Sequence, residues 1–197
     1  MSQLTRSDLL SLEQYAERRA QFRAEVIAHK RNRQVPLGPN ATLYFEDQLT
    51  MRYQIQEILR IEKVFEADAI EEELEAYNPL IPDGTNFKAT FMIEFPEEAE
   101  RRAALARLIG IERQIWVQIG DHEKVNPIAN EDLSRETEDK TSAVHFLRFE
   151  FTAPMIESAK KGAPVSMGVD HENYQHQTGE LPENIRDSLV SDLNMRH

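Results

Sequence analysis

The chain has 197 residues, 40% of them hydrophobic, with 7 Gly and 9 Pro, which is a folding composition large enough for one full core without covalent staples. It contains no cysteine, so disulfides, thiolate metal sites, iron-sulfur ligation and thiol nucleophiles are excluded. A formal charge of -12 disfavours nucleic acid and anionic membrane as general partners, because both reward a basic surface.

The opening residues lack the apolar stretch of a signal peptide, and no apolar run approaches the roughly 20 residues of a membrane span, so a cytoplasmic protein is expected. Thr5 followed by Asp8 resembles an N-cap, and Leu9, Leu12, Tyr15, Ala16, Phe22, Val26 and Ile27 recur at helical spacing. Their spacing predicts a long amphipathic helix over 6–32, ended by Pro36, Gly38 and Pro39. Its basic end, His29 to Arg33, is read as cations complementing a helix C-terminus.

Ala41, Leu43 and Phe45 alternate with Thr42, Tyr44 and Glu46, the pattern of a half-buried strand. A second helix is predicted over 49–77 with a break near Glu66-Ala67-Asp68, and its stripe runs through Met51, Ile55, Ile58, Leu59, Phe65, Ile70 and Leu74. An alternating strand over 87–95, a helix opened by Pro96-Glu97-Glu98 and capped by Gly110, and strands over 114–119 and 143–151 follow. Residues 121–141 are polar and acidic, with a short helix expected at the Asn130 cap. After Pro154 come a short helix, an extended piece over 165–169 and a final helix carrying Leu181, Ile185, Leu189 and Leu193.

Strands with one apolar face each, joined partly by helices and partly by loops, predict a single α+β domain over 1–197. Its sheet is expected to be mixed or largely antiparallel, of four to six strands, with amphipathic helices packed on one face.

The outward residues of the strands include Tyr44, Met92, Glu94, Trp116, Phe146 and Arg148. Large apolar groups mixed with charges mark a candidate ligand or partner face; a covering segment or a homodimer contact is the structural alternative. Glu62 on the apolar stripe of the second helix and Arg19 on that of the first are expected to form a buried ion pair between the helices. His145 shares its strand face with Leu147, Phe149 and Phe151, where a satisfied core histidine is the commoner reading and a metal ligand the functional one. His171, His176 and nearby carboxylates including Glu57 are the remaining candidates for an iron, manganese or zinc site. The five-residue spacing of His171 and His176 does not match the four-residue spacing of metalloprotease helices. Phosphate-binding loops, dinucleotide fingerprints and nucleophile elbows are absent from the sequence.

The segments Leu4 to Leu10, Phe22-Arg23, Lys30 to Arg33, Phe45-Glu46, Tyr53 to Glu62, Tyr77 to Pro82 and Thr141 to Phe149 resemble the bacterial domain-of-unknown-function family numbered 3501, across nearly the whole chain. The resemblance supplies no catalytic residues. It implies a genomic context beside a rubrerythrin-like protein and an iron-sulfur oxidoreductase, and hence an accessory role in peroxide or iron-linked redox metabolism. A binding or accessory protein using the aromatic sheet face is therefore expected, with a His/carboxylate metal enzyme or metal carrier as the alternative.

Overall fold

Ser11, rather than Thr5, starts the first long helix. In the computed structural model, which describes residues 3–194, Thr5 and Asp8 close a separate 3-10 turn over Arg6–Asp8, with the Thr5 N–H donating to Asp8 at 2.7 Å. Helix α1 (Leu12–Lys30) follows, capped by the reciprocal Ser11–Gln14 hydrogen bonds, both 3.2 Å. Asp47 caps α2 (Gln48–Glu62) in the same way through Thr50. Lys63 then turns into the left-handed region at φ 56°, ends α2 and lets α3 (Ala67–Tyr77) leave in a new direction. The break predicted near Glu66-Ala67-Asp68 is present and spans residues 63–66, with Glu66 at the start of α3.

Among the described residues eight strands form two antiparallel sheets. In chain order they are β1 (Gln34–Pro36), β2 (Ala41–Phe45), β3 (Asn86–Ile93), β4 (Ile115–Ile119), β5 (Ile128–Ala129), β6 (Val144–Glu150), β7 (Val165–His171) and β8 (Tyr174–Glu180). The larger sheet runs β1-β2-β3-β6-β5 and the smaller β4-β7-β8. Three further helices complete the α+β fold: α4 (Glu98–Arg107), α5 (Ala153–Lys160) and α6 (Glu183–Val190).

The main core lies between the sheets. Leu43, Phe45, Phe87, Phe91, Leu147 and Phe149 from the larger sheet meet Ile115, Val117, Ile119, Met167 and Val169 from the smaller, and Ala104 of α4, Ile156 and Ala159 of α5 and Leu189 of α6 join the same cluster. The apolar face of the larger sheet is thus covered by a second sheet as well as by helices. A smaller cluster, including Leu4, Met51, Ile55, Leu59, Ile70 and Leu74, holds α2, α3 and the N-terminal segment together. No helix among the described residues is long and apolar enough to cross a membrane.

Asn130 does not cap a helix. It sits at φ 53° just after β5, where its side-chain oxygen accepts from the Phe146 N–H at 3.1 Å and its amide donates to His145 Nδ1 at 2.9 Å. Strand β8 has no counterpart in the sequence reading, because Tyr174–Glu180 carries no apolar alternation and pairs as an exposed edge strand on β7.

Candidate functional site: a cleft on the outer sheet face

The period-2 alternation of β2, β3 and β6 sends one set of side chains to the core and leaves Tyr44, Lys88, Thr90, Met92, Phe146 and Arg148 half-buried on the outer face. Register arranges them in rows: Tyr44, Thr90 and Phe146 across three strands, then Lys88, Arg148 and Ile128 across β3, β6 and β5. Glu94 follows β3, and the Tyr44 hydroxyl donates to its carboxylate at 3.1 Å. Burial, reinforced by that carboxylate, raises the Tyr44 phenol above its usual range. The structure therefore brings Tyr44, Met92, Glu94, Phe146 and Arg148 onto one surface.

A cleft of about 500 Å³ opens on this surface. Phe146 and Arg148 form its floor with Lys88. Glu73, Ala76 and Tyr77, which share one face of α3, and Leu80 in the 3-10 turn over Asn78–Leu80 form one wall, and Glu131 and Asp132 form the other. The position of that turn is fixed from the floor, because the Lys88 ammonium donates to the Pro79 carbonyl at 2.6 Å. Desolvation lowers the Lys88 pKa, and the carboxylates of Asp83, Glu131 and Glu150 oppose that shift. Arg148 is fully engaged: Nε and Nη2 grip Glu131 at 3.0 and 2.8 Å, and Nη1 reaches Glu150 at 2.5 Å. Those pairings raise the Arg148 pKa and lower that of Glu131. Arg135 stacks over the Phe146 ring at 4.6 Å while forking onto Asp132, which fixes the second wall.

Of these lining residues, strand alternation indicates Phe146, Arg148 and Lys88. Glu73, Tyr77, Leu80, Glu131 and Asp132 arrive from α3, its following turn and the acidic loop, and only the tertiary fold apposes them. Their one sequence signal is the Tyr77 to Pro82 segment, quoted above for its family resemblance.

Trp116 departs from the expected face. It belongs to β4 in the other sheet, is only 4% exposed, and lies between Gly168 and the Lys124 ammonium, which sits 3.8 Å above the ring centroid. Alternation along a strand identifies which residues share a side but not which sheet the strand joins.

The expected Arg19–Glu62 pair is replaced by Arg19–Glu57. Arg19 forks onto both Glu57 oxygens at 2.8 Å, and the Tyr15 hydroxyl donates to the same carboxylate at 2.6 Å, whereas Glu62 is exposed at the last turn of α2. The buried stripe of α2 runs through Met51, Ile55 and Leu59, which places Tyr53 and Glu57 toward α1 and leaves Glu62 outside the contact. Hydrogen bonding from Arg19 and then Tyr15 overcomes partial burial and depresses the Glu57 pKa to about 2. The triad's contribution is complete above about pH 4.5, the carboxyl's ordinary value, and is lost as pH falls toward 2. Glu57→Gln is expected to flatten the fall in stability across that window, as measured by urea unfolding at a series of acid pH values. An unchanged acid limb would contradict the assignment.

His145, His171 and Glu57 do not converge. The Nδ1 of His145 accepts from Asn130, so its proton sits on Nε2, which donates to the Ser142 carbonyl at 3.0 Å with Thr141 at 2.9 Å. Burial lowers its pKa, and it is a satisfied core histidine. His171 is equally committed, to the Ile109 carbonyl at 3.1 Å and the Asn173 N–H at 3.2 Å. With both oxygens of Glu57 also taken, this set does not fit a metal ion. Among the described residues no group of three or more His, Asp and Glu side chains is placed to hold one.

No match is found among curated proteins. A crystal structure of a protein of unknown function from Burkholderia pseudomallei is similar at 51% identity and a TM-score of 0.93, covering 98% of this chain and 100% of that one. A family model described as "Protein of unknown function (DUF3501)" matches residues 3–193. The chain therefore belongs to the DUF3501 family.

Proposed function

We propose that the protein is a non-catalytic binding protein that seats its ligand in the cleft between α3 and the outer face of β3 and β6. The observation that carries this reading is an open cleft of about 500 Å³ that sets the apolar groups of Phe146, Tyr77 and Leu80 among charged side chains. That volume and that mixture are those of small-molecule sites. The charged groups of the floor and of the Glu131–Asp132 wall are held by partners within the fold, so those parts of the cleft are preorganised before anything binds. The accessory role in peroxide or iron-linked redox metabolism, with a rubrerythrin-like protein or an iron-sulfur oxidoreductase as partner, is the cellular setting proposed from the family resemblance.

Amide chemical-shift mapping with a chemically mixed set of fragments tests the reading. Shifts are expected to concentrate at 73–80 and 146–148, and Phe146→Ala or Leu80→Ala is expected to weaken binding about tenfold through lost apolar contact. Shifts concentrated instead at the elbow between α2 and α3, where Ile61 and Phe65 are 67% and 72% exposed, would overturn it.

A further inference from the structure

The charge around the cleft is unevenly compensated. Its lining holds four carboxylates, Glu73, Glu75, Glu131 and Asp132, against two cations, Lys88 and Arg148. Both cations are already spent within the fold: Arg148 on Glu131 and Glu150, Lys88 on the Pro79 carbonyl with Asp83, Glu131 and Glu150 around it. Asp132 is taken by both terminal nitrogens of Arg135 at 2.6 and 2.7 Å. The α3 wall is the exception. Glu73 is half-buried there, and its pKa is raised by desolvation first and then by its like-charged neighbours Glu62 and Glu72, with no cation among the groups that act on it. Glu75, two residues on, is exposed at the rim.

A half-buried carboxylate on the wall of a cleft, with no ion-pair partner among the described residues, leaves a deficit that a positive ligand group would fill. Phe146, Tyr77 and Leu80 lie across and beside it, where a hydrophobic body of drug-fragment size can rest. We infer that the cleft's ligand is a small organic cation, an amine with an aromatic or bulky alkyl body, whose ammonium is held by Glu73 on the α3 wall and whose body packs on Phe146. This inference rests on the binding-protein reading above and specifies its ligand class. An anionic ligand would instead face four carboxylates, with no uncommitted guanidinium among the described lining residues to receive it. The net charge of -12 adds long-range attraction for a cation.

Calorimetric titration with phenethylamine and with 3-phenylpropanoate, similar in shape and opposite in charge, tests this. Phenethylamine is expected to bind saturably, more weakly as salt is raised, and 3-phenylpropanoate not to bind. Glu73→Gln is expected to weaken the amine about tenfold, the equivalent of one charge-assisted hydrogen bond, and Glu75→Gln to weaken it less. Circular dichroism of the Glu73→Gln protein, a near-isosteric change on a half-buried helix position, separates a binding loss from a folding loss. Equal or tighter binding of the carboxylate, or full amine affinity in a folded Glu73→Gln protein, would overturn the inference. So would silence from both compounds while neutral fragments still map to the cleft, a result that leaves the binding-protein reading standing. Fragments mapping away from the cleft would overturn both.

Discussion

Arg33→Met is expected to cost about 3–5 kcal/mol of folding stability, the range for removing one partner of a buried ion pair. Arg33 is 1% exposed and lies where the chain passes from α1 into the larger sheet. Its guanidinium donates to the Phe45 and Glu46 carbonyls at 3.1 Å, to the Ser188 carbonyl at 3.0 Å and to the Asp192 carboxylate, tying β2 to the end of α6. Methionine fills much of the volume but removes the donor to three carbonyls and strands a buried acid. Burial pushes the Asp192 carboxyl up to about 6 against the pull of Arg33, with Asp47 adding to the push and His29 to the pull. A carboxyl raised in this way binds its proton more readily folded than unfolded, so its contribution declines as pH rises from about 4 to 6. Without the guanidinium that pull is lost, and Asp192 keeps its proton to higher pH than in the parent protein. The loss in Arg33→Met is therefore expected to be larger near pH 8 than near pH 5. Urea unfolding at the two pH values reads this directly, and a loss below about 1 kcal/mol at both would contradict it.

Gly168→Ala is expected to cost about 3 kcal/mol, at the upper end of the usual range for overpacking. A Cβ at 168 would stand 2.3 Å from Cζ2 and 2.6 Å from Cε2 of Trp116, and 2.8 Å from the His176 carbonyl oxygen. The indole cannot retreat freely because Lys124 covers its other face, and the carbonyl belongs to the paired strand β8. Since Trp116 is the chain's only tryptophan, its emission reports the same event. A lower melting temperature with red-shifted emission is expected, and an unchanged midpoint and spectrum would show that the indole is not packed on Gly168.

What the sequence discloses of this architecture follows from which interactions are local. The alternations Ala41 to Glu46, Phe87 to Glu94 and Val144 to Glu150 correctly separate the two sides of the larger sheet, because side-chain direction along a strand depends only on residue parity. Parity says nothing of sheet membership, which is why Trp116 and Tyr44 look equivalent in sequence and lie in different sheets. Helical period locates the stripe of α2, but the half-turn between Glu57 and Glu62 is decided by where Tyr15, Arg19 and Phe22 of α1 press against it. The basic end of α1 serves the interior: His29 binds Asp47 at 2.5 Å and Arg33 is buried, a use no local charge pattern reveals. The cleft is half legible for the same reason, its floor set by strand parity and its walls by contacts between segments distant in the chain.

The binding-protein reading stands or falls on the cleft itself, so the most direct measurement repeats the fragment titration on Ala76→Trp. Ala76 is exposed on the α3 wall, and an indole there projects into the cleft without displacing a core residue. Amide shifts at 146–148 that respond to fragments in the parent protein and fall silent in a normally folded Ala76→Trp protein are the predicted result. The same shifts persisting at full size with the cleft filled would contradict it.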